Sequence, residues 1–220
     1  MSSTGSFTKV GSGTLTLSGP NTYTGTTTIS AGTLSLTGTG SIASSSSIIN
    51  NATLDISGTT TGASITSLAG NSAGSTVLGS KTLTITSGAD TFAGVISGAN
   101  GSLVLGGGTQ VLSGNNTYTG TTTISAGTLN VTGTLSDSTA VTVDSGATYI
   151  VGATDTVASI AGAGNITLTG DLTAGSTPNT TFSGVMSSTG SFTKVGSGTL
   201  TLSGANTYSG TTTISAGTLN

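Results

Sequence analysis

Cysteine, histidine, arginine, glutamate and tryptophan are all missing from this 220-residue chain, and each absence removes a class of function. Without cysteine there is no disulfide, no thiol chemistry and no thiolate metal site. Without histidine, the usual base beside a nucleophilic serine or threonine is gone. The charged residues are few enough to name: Lys9, Lys81 and Lys194 against Asp55, Asp90, Asp137, Asp144, Asp155 and Asp171. Nucleic-acid binding relies on many lysine and arginine contacts to phosphate, so no nucleic-acid partner is expected. Glycoside hydrolysis needs two carboxyl groups about 5–9.5 Å apart across a cleft. Asp137 and Asp144 are close in sequence, and Asp55 is expected a turn of chain or more from Asp90, but nothing sets a pair across a cleft. Calcium takes six to eight oxygens, several from carboxylates; here Asp137, Asp144 and Asp155 read as turn residues. The expectation is a protein that is not an enzyme, with no cofactor, no metal and no catalytic residue.

Long apolar runs are missing too. No stretch approaches the ~20 residues of a membrane helix, and MSSTGSFTKV lacks the basic and apolar regions of a signal peptide. This segment is therefore expected not to insert in a membrane, and any export elements are expected outside it. What is present is glycine, 37 residues, with 51 threonines and 36 serines, together more than half the chain. Disorder goes with low hydropathy and high net charge. Here mean hydropathy is +0.28 and net charge only −3, so the chain is expected to fold around a thin core of small branched side chains.

Repetition is the strongest signal. NTYTGTTTISAGTL at residues 21–34 recurs at 116–129, and NTYSGTTTISAGTL follows at 206–219, offsets of 95 and 90 residues. TFAGVISGANGSLVLGGGTQVLSGNNTYTG from Thr91 parallels TFSGVMSSTGSFTKVGSGTLTLSGANTYSG from Thr181. The unit is about 90 residues long: a partial copy over 1–90, a copy over 91–180 and a partial copy over 181–220. Residues 1–35 and 186–220 differ only at Pro20/Ala205, Thr24/Ser209 and Ser35/Asn220, and Met1 aligns with the internal Met186. The chain reads as one continuous structure cut from a longer array.

Within the unit the pattern is strand, turn, strand. Alternation points Leu15 and Leu17 to one side and Thr14, Thr16 and Ser18 to the other. The same phase fits Thr27/Ile29, Leu34/Leu36, Leu83/Ile85, Val141/Val143, Ile166/Leu168 and Leu200/Leu202. Gly and Asn punctuate the strands, the Gly106-Gly107-Gly108 run included, and no window has a helical period. A β-sandwich needs different sequences for edge and central strands, whereas near-identical units stack into a solenoid. The predicted fold is all-β, a right-handed parallel β-helix of about nine to eleven rungs, each of roughly 20–25 residues and rising about 4.8 Å.

GSFTKVGSGTLTLSGPNTYTGTTTISAGTLSL, with VTVDSGATYIVG and SIAGAGNITLTG, resembles the autotransporter-associated β-strand repeat of bacterial surface proteins. The resemblance implies a right-handed β-helix passenger, exported past the outer membrane, that acts as an adhesin or as the stalk beneath an effector. The middle copy departs from the pattern, with GSLVLGGGTQVLSG where the motif lysine belongs. The membrane barrel and signal peptide of such proteins are not in this chain.

The function expected is a structural or adhesive rod of a large exported surface protein, spacing or presenting binding regions. The alternative is a filament subunit stacking through open coil ends. Expected partners are accordingly a second copy, or glycans and proteins of a host or neighbouring cell surface. The positions singled out are Asn21, Tyr23, Asn116, Tyr118, Asn206 and Tyr208. Each tyrosine is a candidate sugar-contacting ring or a side chain packing a corner. At about 90 residues, roughly four rungs or 19 Å, the copies are too far apart to stack. An ice-binding threonine array needs a threonine pair on every rung, whereas Thr26-Thr27-Thr28 recurs once per unit. Lys9 and Lys194, at equivalent positions, are candidates for exposed pairs with Asp on adjacent rungs, worth about 0–1 kcal/mol.

Overall fold

The computed structural model describes residues 1–175 and 177–220. Its 28 strands, two to seven residues long, pair only in parallel, and no helix occurs among the described residues. The chain winds as a right-handed parallel β-helix of about 11 turns. At about 4.8 Å per turn the rod is roughly 50 Å long.

Each turn crosses three faces. The first face begins with Phe7–Lys9, the second with Thr14–Leu17, and the third carries the longest sheet, nine strands from Ala63–Ile65 to Thr218–Leu219. Alternation decides what lies inside. On the third face Leu83, Leu103, Thr122, Val141 and Ile160 pair in succession, all buried. The intervening positions, such as Thr84, Val104 and Thr142, are only half-buried. The core is thus a set of columns along the axis, where burying a Leu or Ile contributes about 1.5–3 kcal/mol. Leu15 and Leu17 in the opening turns are half-buried, while Leu34, Leu36, Leu54 and Ile56 beyond them are fully enclosed.

Corners demand glycine for a steric reason. Gly74, Gly94, Gly114 and Gly133 follow one another at one edge, and a Cβ on each of the last three would run into the carbonyl oxygen of the glycine before it.

The first-face sheet is interrupted between Leu68–Ala69 and Thr91–Phe92, where only the single bridge Gly70↔Phe92 joins the strands. Gln110, fully buried, spans the break: its Nε2 donates to the Leu68 carbonyl at 2.8 Å and the Asp90 carbonyl at 3.0 Å. Its Oε1 accepts the Leu68 N–H at 3.2 Å. The Ser47 hydroxyl donates to the Asp90 carboxylate at 2.8 Å across the same gap.

The repeat unit is not a whole number of turns. A turn takes 17 residues between Val151 and Leu168 but 22 between Gly70 and Phe92, and about 20 elsewhere. Offsets of 95 and 90 residues therefore end roughly two faces on, after four full turns. The strands Thr27–Ile29, Thr122–Ile124 and Thr212–Ile214, identical in sequence, lie in three different sheets. So do Thr14–Leu17, Thr109–Leu112 and Thr199–Leu202. Successive units step around the coil.

Candidate functional site

The repeated polar residues converge on the coil interior. In the central copy Asn116 is buried, and its Oδ1 accepts the Ile96 N–H of the previous turn at 3.0 Å. Its Nδ2 donates to the Gly114 carbonyl and to the Thr134 carbonyl of the next turn, both at 3.0 Å. One asparagine so links three successive turns. Asn21 repeats the pattern with the Met1 amino group at 3.0 Å and the Gly19 and Ser41 carbonyls at 3.0 and 3.1 Å. Asn206 accepts the Met186 N–H at 2.8 Å.

Two residues on, each tyrosine folds back over its own strand. The hydroxyl contacts are Tyr23–Thr27, Tyr118–Thr122 and Tyr208–Thr212, each 2.6 Å. Tyr118 is fully enclosed and Tyr23 nearly so; Tyr208, in the last turn, is half-buried. Desolvation raises the pKa of Tyr23 and raises that of Tyr118 further. The enclosed rings of Tyr23 and Tyr118 offer no face to a sugar, and the three rings lie at three different corners. Tyr118→Phe removes the partner of the Thr122 hydroxyl in a buried place, so it is expected to cost about 1–2 kcal/mol. Tyr208→Phe, with water at hand, is expected to cost less than half as much; urea unfolding midpoints of the two variants measure this.

Lys9 and Lys194 are not exposed, and among the described residues neither pairs with a carboxylate. Lys194 is 1% exposed, and its Nζ donates to the carbonyls of Val195 at 2.6 Å, Gly196 at 2.9 Å and Ala216 at 3.3 Å. Lys9 does the same with Val10, Gly11 and Ala31 at 2.8, 2.7 and 3.0 Å. Three acceptors match the three N–H donors of an ammonium. The lysine closes a corner whose carbonyls the curvature turns inward. Gly217, at φ +72°, lies against this ammonium, and a Cβ there would sit 2.9 Å from Nζ. The middle copy holds Leu105 at this position, in a turn one residue shorter, Gly106-Gly107-Gly108.

Asp155 is a strand residue, not a turn residue. It belongs to Asp155–Val157 and is buried. Its carboxylate accepts the Leu135 N–H at 3.1 and 3.3 Å, the Thr156 N–H at 3.0 Å and the Tyr149 hydroxyl at 3.4 Å. Asp137 lies in an exposed turn and Asp144 immediately precedes one. No group of three or more His, Cys, Asp or Glu side chains gathers for a metal among the described residues. A surface hollow of about 380 Å³ is lined by Gly38–Ser41, Ala43 and Thr60–Ser64, without a charged or aromatic side chain.

Sequence reasoning missed Gln110, the lysine clamps and the role of Asp155, although all share one signal. Each holds the inward phase of its strand: Lys9 with Phe7, Gln110 with Leu112, Asp155 with Val157.

The family model described as passenger-associated-transport-repeat matches residues 7–36, 103–131 and 192–220. Each match runs from the strand that ends in the lysine or Leu105, through the Asn–Tyr–Thr corner, to the strand after the SAG turn. No curated protein and no solved structure matches the chain.

Proposed function

We propose that this chain, a segment of an autotransporter-type passenger β-helix, is a rigid spacer of an exported surface protein that holds binding regions away from the cell. The observation that carries the reading is the stepping of the repeat around the three faces. A binding array needs the same side chains in line on one face. Here the repeated asparagines and lysines tie turn to turn, and the tyrosines close on the threonine four residues on. Outward, threonine and serine hydroxyls are spread over all three faces, which suits solubility and weak contacts that gain strength only by multivalency.

Small-angle scattering and electron microscopy of the chain over a dilution series test this. The expected result is isolated rods about 50 Å long at every concentration, as eleven rises of about 4.8 Å require. Compact particles would overturn the spacer reading. Long unbranched fibres growing with concentration would replace it with a filament built end to end.

A further inference from the structure

Asp155 takes, on the second face, the inner position that Asn116 holds two turns earlier. The Leu135 N–H enters the Asp155 carboxylate as the Ile96 N–H enters the Asn116 amide. The backbone matches as well. The Asp155 N–H donates to the Asp171 carbonyl at 2.9 Å, as that of Asn116 donates to Thr134 at 2.8 Å and that of Asn21 to Ser41 at 3.0 Å. The side chains differ in one respect. Asparagine adds an Nδ2 donor to the same next-turn carbonyl, and a carboxylate has none to add.

An ionised carboxylate here is costly, because it is 4% exposed and faces no cation. The titratable groups around it are two phenols and two carboxyls. Tyr149 on the first face donates its hydroxyl, and burial holds that phenol well above the ordinary tyrosine range. Tyr118, from the corner beneath, is likewise uncharged at neutral pH. Asp137, in the turn after Leu135, repels a second negative charge. Asp171, next to the Leu172 that pairs with Asp155, directs its carboxylate to the Ser191 N–H at 2.8 Å.

We propose that Asp155 is a proton-operated latch of the coil. Uncharged, it holds the turns of Leu135 and Asp155 together without a buried charge; ionised, it makes that stretch the first to open. Burial raises its pKa to about 6; the Leu135, Thr156 and Tyr149 hydrogen bonds oppose the rise and Asp137 adds to it. The folded state therefore holds the proton more tightly than the unfolded state, whose carboxyl titrates near 3.9. The stabilisation is complete below about pH 4 and is lost as pH rises through about 6. The rod is tighter in mild acid than at neutral pH, opposite to a protein held by salt-bridged carboxylates.

Hydrogen exchange of the full chain at pH 5 and pH 7.5, corrected for the intrinsic rate, tests the latch. Amides in 131–174 are expected to open about 10-fold more at pH 7.5, while those in 75–105 change little. Asp155→Asn, restoring the amide, is expected to abolish the difference and to protect the segment at both pH values. The proposal fails if the wild-type segment shows no pH difference, or if the variant keeps it. If the variant does not fold, carbon-13 titration of the wild-type Asp155 carboxyl decides: a midpoint near 6 supports the latch, and one near 4 overturns it.

Discussion

Lys194→Leu is expected to destabilise the rod by about 3–5 kcal/mol, the cost of removing one partner from a buried charged cluster. The variant leaves the carbonyls of Val195, Gly196 and Ala216 without their donor, and a buried unpaired polar group costs about 1–3 kcal/mol. The chain contains its own remedy. At the equivalent corner Leu105 stands in place of lysine, and the turn to Thr109 is one residue shorter. Replacing Val195–Gly198 by three glycines in the Lys194→Leu background is therefore expected to recover most of the loss. Chemical denaturation of the two variants measures both effects. If the leucine substitution alone were tolerated, the ammonium would not be what holds the corner.

Gly114→Ala should be at least as severe. The added methyl would strike the Gly94 carbonyl oxygen and lie 2.8 Å from the Ala93 carbonyl oxygen. Neither acceptor is a flexible side chain that can step aside. Relieving the overlap means spreading two turns and breaking ladder bonds on either side, so a loss of about 3 kcal/mol or more is expected. Gly19→Ala is the control: a Cβ there meets nothing within 4 Å, and an effect within about 0.5 kcal/mol is expected. Because a solenoid's turns contact only their neighbours, exchange protection in the Gly114 variant should fall near residues 94–133 first. Uniform loss along the rod would mean that the turns unfold as one unit.

The inner phase of the strands is legible residue by residue. Leu83 and Ile85, Val141 and Val143, and Ile166 and Leu168 are placed inside by alternation alone, and each is buried. The asparagines, tyrosines and lysines are legible as repeated and therefore as important, but not in what they touch. Reading Lys9 and Lys194 as exposed follows the habit of charged side chains. Burial prevails because the corner presents three backbone carbonyls to one point, a fact of curvature that no local window contains. Asp155 reads as a turn residue in the sequence because Asp favours turns. The fit of Asp155-Thr156-Val157 to the Asn–Thr–Tyr pattern is there to be seen, but it becomes persuasive only once Leu135 is found stacked on Asp155 as Ile96 is on Asn116. Gln110 reaches Leu68, 42 residues away, and no sequence spacing announces such a pair.

By itself, then, the sequence determined an all-β chain of parallel turns with a thin aliphatic core, because alternation and near-identical repeats are properties of neighbouring residues. Only the tertiary structure decided which face each residue occupies. That depends on the accumulated length of the turns, which varies from 17 to 22 residues with the way each corner closes. A unit of about 90 residues wound at about 20 per turn cannot return to its starting face. Three copies of one motif consequently come to lie on three faces of a rod.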